Sequence, residues 1–367
     1  MGFVKKLCVI AALCLLFRFS YCLGADTALD SFVFNAVENG SLVSTAVVGQ
    51  SPLLMANAAG ATADVQIQAS SERAADAVAA GESEADGVVE LAGSEDAEEV
   101  SESPAQVLEK TITTGEGDGY ISADGIYIKN ATSYSADVAS LLNEPMALSM
   151  SALSDPQVLI IHTHGSEAYT PDGDDQYDAQ SGNYRTSDAT QSVMRVGDEL
   201  AAVLEARGIG VIHDKELYDY PSYVGSYGRS LTAAENYLAQ YPDIKIIIDL
   251  HRDALVDESG NIYKTVAQIG DETAAQVMLV VGTDTNLEHP NWQQNLQLAL
   301  RLQSAMNEKY PSLARPINLR EERFNQQLTG GALLVEVGTH GNTLQEALKA
   351  ADYFGDCLAD VLESLQG

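Results

Sequence analysis

The segment VLIIHTHGSEAYTP, Val158 to Pro171, carries a β-branched apolar run straight into His162, His164 and Glu167. A second run, IKIIIDLHRDA, leads to His251, with Arg252 and Asp253 behind it. A third, ALLVEVGTHGN, leads to Glu336, with His340 on the Gly-rich stretch that follows. Apolar runs do not end in ionisable side chains for packing reasons, because burying an unpaired charge is costly. His164-x-x-Glu167 followed by His251 makes a His₂Glu set. Catalytic zinc commonly takes three such ligands and keeps a fourth position for water or substrate. Such an ion acidifies water and polarises a carbonyl. A further carboxylate, Glu336, would take the proton from water and pass it to a leaving amine. Amide hydrolysis needs that delivery, since an amine anion leaves poorly. The His-x-x-Glu spacing alone recurs by chance; with matching residues at two other strand ends the signal is stronger.

These residues need strands to carry them. Val158–His162, Lys245–Leu250 and Ala332–Val335 read as buried strands, with IGVIHD and AQVMLVVGT as further ones. Between them, TQSVMRVGDELAAVLEAR places Val193, Val196, Leu200, Val203 and Leu204 at helical spacing, and Gly208 stops that helix. Other helices are expected near Leu231–Gln240, from Asn291 to Lys309, and from Thr343 to Leu365. Continuous apolar strands alternating with helices predict an α/β fold. The expected form is a three-layer αβα sandwich with a mostly parallel central sheet. Ligands in such sheets bind beyond the carboxyl ends of the strands, which is where these residues stand.

Composition excludes other chemistry. Asp+Glu number 53 against Lys+Arg 20, a formal net charge of −33. No basic face is available for phosphates, so a nucleic-acid partner is excluded. Cys8, Cys14 and Cys22 sit at the N-terminus and only Cys357 lies elsewhere, so a thiolate zinc site is excluded too. The metal must be held by His and carboxylate.

Residues 1–24 read as an export signal or membrane anchor. Lys5 and Lys6 precede the apolar stretch Leu7–Phe17, which is shorter than the ~20 residues of a span. Lysines before the apolar run place the rest outside the cytoplasm. Residues 25–110 are expected to be a low-complexity acidic spacer, largely disordered: GESEADGVVELAGSEDAEEVSESP offers too little apolar surface to offset ordering entropy. Residues 111–154 form a lead-in with a hairpin turn at Asp124–Gly125. Residues 155–367 are the expected catalytic domain.

The other histidines and polar residues read as follows. His162 is either a partner behind the metal ligands or a hydrogen-bonded strand-end histidine. His213 looks solvated in its IHDKE setting, and His289 reads as a loop residue. His340 could contact substrate or an oxyanion. Arg252 could pair with a peptide carboxylate, stabilise a developing oxyanion, or form an ion pair with Asp253 or Asp249. The polar loop YTPDGDDQYDAQSGNYRTSD is either a cleft wall or a mobile surface loop. Trp292 is expected to pack rather than to bind sugar.

Over about 155–365 the chain resembles the stage II sporulation protein P family, peptidoglycan hydrolases of endospore-forming bacteria. The residues carrying the resemblance are IIHTHGSEAY, VGDELAAVLEARGI, SYGRSL, IIDLHRDA, QNLQLA, FNQQL and ALLVEVGTHGNT. That family is similar to zinc N-acetylmuramoyl-L-alanine amidases, whose αβα domain uses two histidines, a ligand glutamate and a catalytic glutamate. The resemblance implies zinc as cofactor, His164 and His251 as ligands and Glu336 as acid/base. It also implies Asn325 and Gln326 as groove residues. One departure matters. The amidases take their ligand glutamate from just before the first long helix, where this chain has YRTSDATQSVMRV and Asp188 as its nearest acid. Glu167 instead gives the spacing of zinc carboxypeptidases; it is the first choice for third ligand and Asp188 the second.

The resemblance further implies cleavage of the amide between N-acetylmuramic acid and L-alanine, with endopeptidase activity on cross-linked stems. It implies a role in septal wall thinning and engulfment, and partners of the stage II sporulation protein D and M types. The rival expectations are a zinc carboxypeptidase-like peptidase and a catalytically silent wall-binding tether.

Overall fold

A computed structural model of the 367-residue chain describes residues 88–90, 106–150, 155–173, 175–177 and 184–366, all within one compact unit, Ala69–Gly367. The expected signal or anchor and most of the expected spacer lie outside the described residues. Two pieces within the spacer's range are strands, β1 (Val88–Glu90) and β2 (Val107–Lys110). The lead-in holds β3 (Tyr120–Ala123), β4 (Ile126–Asn130) and α1 (Val138–Asn143). Asp124 and Gly125 join β3 to β4 as a turn with φ of 53° and 80°, the left-handed pair a tight hairpin needs.

The remaining elements are β5 (Pro156–Ile161), α2 (Val193–Ala206), β6 (Gly210–His213), α3 (Ser226–Gln240), β7 (Ile246–Asp253), β8 (Leu255–Asp257), β9 (Ile262–Ile269), β10 (Glu272–Ala275), β11 (Val277–Gly282), α4 (Trp292–Lys309), β12 (Ile317–Arg320), β13 (Gly331–Thr339) and α5 (Leu344–Ser364). An eight-stranded sheet runs in the order β3-β4-β12-β11-β13-β7-β5-β6. The strands β1, β2, β8, β9 and β10 form a second sheet.

The main sheet is mixed, which corrects the expectation of a mostly parallel one. β11 runs antiparallel to β13, and β3 to β4. The reason lies in the connections. A parallel return needs a dozen or more residues, usually a helix. Residues 321–330, between β12 and β13, hold only the 3-10 turn Gln326–Leu328, so β13 comes back against β11.

Strand alternation divides the core. Val158, Ile160, Ile246, Ile248, Leu250, Leu333 and Val335 join the large cluster shared with α2, α4 and α5. Leu159, Ile161, Ile247 and Ala332 face the other way, against Ala234 of α3. Helices therefore cover both faces, and the described helix on the second face is α3. α2 starts on a Ser192 cap, and α5 on a Thr343/Glu346 capping box. Among the described residues no helix is long and apolar enough to cross a membrane.

Candidate metal centre

β13, β7 and β5 are adjacent and mutually parallel, so their carboxyl ends meet at one edge. His251 pairs across with Glu336, and Asp249 with Ile161. Odd residues of β7 and even residues of β13 point to the α3 face, so Asp249, His251 and Glu336 share it. β5 ends at Ile161, and the chain then turns: Glu167 N donates to His164 O (3.1 Å), which sets both side chains on one side of the turn.

The three expected ligands come together. His164, Glu167 and His251 are buried, and one ligand atom from each lies within 4.8 Å of the others. Glu167 is the bridge: Oε1 is 3.6 Å from His164 Nδ1 and Oε2 is 3.3 Å from His251 Nδ1. Two imidazole nitrogens and a carboxylate form the donor set of open zinc sites, so these residues fit that ion. Asp188 does not join them. It is exposed and accepts hydrogen bonds from Thr190 N (2.9 Å) and Oγ1 (2.7 Å).

The surroundings are charged and aromatic. The backbone N–H of Arg252 donates to Glu167 Oε2 (3.2 Å). Arg185 lies 3.6 Å from Glu167 Oε1 and 2.9 Å from the buried Asp219, with its guanidinium over the Tyr223 ring at 5.0 Å. Tyr223 stacks on His164 at 4.4 Å, and Tyr227 meets His164 edge-on at 5.5 Å. Burial opposes the charged forms here, yet the neighbours prevail. Hydrogen bonds from His164 and His251 hold Glu167 well below the usual carboxylate range. Asp249 and Glu167 hold His251 well above the usual imidazole range.

The remaining expected residues stand in varied settings. Arg252 points away from this face; its Nε donates to Ala168 O (2.9 Å) and its Nη2 to Tyr184 O (3.3 Å). Of its expected acidic partners, Asp253 pairs with Arg315 (2.6 Å) and Asp249 with His251 (2.9 Å). His340 is buried near Tyr184, and its backbone N–H donates to Asp253 O (2.8 Å). Gln326 is buried, its amide bonded to Gly282 N and Val280 O, both at 2.9 Å. Asn325 has φ of 60° and donates to Tyr227 O (2.8 Å) and Ser230 Oγ (3.2 Å).

His162 does not stand behind the ligands. Its ring lies on the α2 side, with Nδ1 2.8 Å from Leu250 O and Nε2 2.8 Å from His213 Nε2. His213, expected to be solvated, has a side chain only 8% exposed and also contacts Asp198 (3.1 Å). His289 is fully buried beside Asn295, and Trp292 packs on Tyr134 at 4.9 Å. In the polar loop, Tyr169 is buried and donates to Val337 O, while Tyr177 donates to Tyr169 O.

Sequence reasoning missed Asp249 and Arg185 as neighbours of the site, and Tyr223 and Tyr227 as its walls. Asp249 had a signal in IIIDLHRD: two residues before His251 on a strand, it shares that face. The others come from separate loops and helices and carried none.

Comparison with known proteins places the chain. The family model described as Stage II sporulation protein P (SpoIIP) matches residues 45–359. The Stage II sporulation protein P of Bacillus subtilis (strain 168) is 30% identical over 215 residues, covering 56% of this chain and 50% of that protein. The chain thus spans about half the length of that curated relative. Among solved structures, N-acetylmuramoyl-L-alanine amidase AmiC2 of Nostoc punctiforme gives a TM-score of 0.34 at 12% identity, covering 58% of this chain and 98% of that one. The amidase Ami1 of Mycobacterium smegmatis gives 0.35 at 13%, covering 58% and 100%. The family match covers most of the chain and includes every residue of the buried His–Glu–His cluster: the chain belongs to the stage II sporulation protein P family.

Proposed function

We propose that the protein is a zinc-dependent peptidoglycan hydrolase of sporulation. Its proposed reaction cuts the amide between N-acetylmuramic acid and the L-alanine of the stem, with endopeptidase action on cross-linked stems. The observation carrying this reading is the buried convergence of His164, Glu167 and His251, with Glu336 in register beside His251.

His164, Glu167 and His251 would hold the ion. Zn²⁺ bound there would polarise the scissile carbonyl and lower the pKa of water. Glu336 shares the face of His251 and is only partly buried. As a carboxylate it accepts the proton of the attacking water. It then gives that proton to the amine nitrogen as the C–N bond breaks, so one group serves as base and then acid. Arg252 contributes a fixed positive charge behind Glu167 and holds the carbonyls of Ala168 and Tyr184. His340, Asn325 and Gln326 border the groove, with Tyr223 and Tyr227 as its apolar wall. The setting would be outside the cytoplasm, tethered by the N-terminus, in septal wall degradation during engulfment. Partners of the stage II sporulation protein D and M types would act with it.

A second reading, a carboxypeptidase-like peptidase, is favoured by Arg185. This guanidinium is 16% exposed, stands at the edge of the ligand cluster, and could take a terminal carboxylate. Digestion of purified sacculi separates the two. Free stem peptides with bare glycan support the amidase; loss of single terminal residues from intact stems supports the peptidase. Sacculi left undigested by zinc-loaded protein would leave only a wall-binding tether.

A further inference from the structure

We infer that Asp249 is the positioning residue of the metal centre, fixing His251 in the tautomer whose Nδ1 lone pair faces Glu167 and the ion. This rests on the zinc reading above. The two ring nitrogens of His251 face two carboxylates: Nε2 is 2.9 Å from Asp249 Oδ1, and Nδ1 is 3.3 Å from Glu167 Oε2. The Asp249 contact is close but oblique to the ring N–H. A ligand histidine must keep one nitrogen bare and put its proton on the other. The question is which carboxylate is ligand and which is buttress.

Hydrogen bonding answers it. Asp249 is buried and its oxygens are occupied: Oδ1 accepts from Thr163 N (2.8 Å) and Oδ2 from Thr163 Oγ1 (2.7 Å). Each hydroxyl has one proton. Thr163 directs its own to Asp249, and the Ser230 hydroxyl lies between Thr163 Oγ1 (2.7 Å) and Tyr227 O (3.2 Å), the contact to Thr163 being the shorter. Asn325 Nδ2 in turn donates to Ser230 Oγ (3.2 Å). Both Asp249 oxygens thus accept from Thr163, and Ser230 and Asn325 stand in contact behind that threonine. That arrangement uses both Asp249 oxygens as acceptors. Of the two His251 ring nitrogens, Nε2 is the one beside Asp249 at 2.9 Å, which leaves Nδ1 for the Glu167 side. This line of contacts ties β5, α3 and the 321–330 link to one ligand. It places Asn325, at the groove border, at its far end.

The test is zinc binding by the full-length protein, measured by chelator competition, with ¹⁵N imidazole spectra of the zinc-loaded form. Wild type should bind one zinc with His251 protonated at Nε2. Asp249→Asn, which keeps the shape, should weaken zinc by a factor of about 10–100 and lose the single tautomer. Ser230→Ala, farther from the ion, should weaken zinc by a smaller factor with the fold intact, and serves if Asp249→Asn does not fold. Affinity unchanged in both variants, or His251 bound through Nε2, overturns the inference while leaving the zinc reading standing. A wild type that takes up no zinc sinks both.

Discussion

Glu336 on β13 stands directly across from His251 on β7, in the parallel pairing that runs from Gly331↔Ile246 up the two strands. The register breaks between Glu336 and Thr339, just beyond that pair. The carboxylate proposed to transfer protons is thereby fixed one strand spacing from the proposed ligand histidine by backbone hydrogen bonds, not by loop conformation.

Glu336→Gln removes the base and keeps the volume. Zinc content should stay at wild-type level, while turnover of sacculi falls by about 10²–10⁴-fold. Metal analysis and a dye-release assay on the same preparation check both halves; near-normal turnover would take Glu336 out of the mechanism.

His164→Ala deletes a proposed ligand and the ring that Tyr223 stacks on. The protein should fold but lose stoichiometric zinc, and activity with it. Unchanged zinc content after gentle purification would refute the ligand role.

Gly197 of α2 is where the helix meets the histidine pair. A Cβ there would lie 2.5 Å from His213 Nε2 and 2.8 Å from His162 Nε2. Both rings are hydrogen-bonded and cannot swing aside freely. Gly197→Ala should therefore destabilise by about 1–3 kcal/mol, despite the better helix propensity of Ala. A urea midpoint at or above wild type would show that the rings yield.

The four histidines outside the proposed ligand set all have their pKa lowered by burial, His213 among them. Burial lowers His162 to about 3, helped by His213; burial and Arg252 lower His340 to about 3; burial and Arg323 lower His289 to about 4. Unfolded, each would take a proton near pH ~6.5. The unfolded state therefore binds more protons as pH falls below that value, and native stability falls with it. Their stabilisation is fully present above about pH 7 and is lost towards pH 4 and 3. His251, raised instead, is charged in the folded state throughout and stabilises more as pH falls through the unfolded value, so it offsets part of the trend, one group against several. In chelator-treated protein the urea midpoint should drop between about pH 7 and pH 5; a flat profile would contradict the buried neutral state.

Much of the site was legible because its parts are local. His164, Gly165 and Glu167 are held by one turn, and Asp249 to Asp253 by one strand, so spacing alone told which types stood together. The helix Val193–Ala206 followed from its apolar spacing. The start of α3 at Ser226 did not, because Gly225 offers no side-chain cap to read. His162 shows where alternation fails. β5 stops at Ile161, so the two-residue step to His164 no longer keeps a common face.

By itself the sequence determined which side chains could hold a metal and move a proton, because donor chemistry and strand period are properties of residue types and short spacings. Tertiary structure alone decided that β11 runs against β13, that Glu167 and not Asp188 bridges the histidines, and that Asp249 backs His251. Those depend on strand order, register and hydrogen bonds between segments far apart in the chain, as in Thr163 N to Asp249 at a separation of 86. No local pattern encodes them.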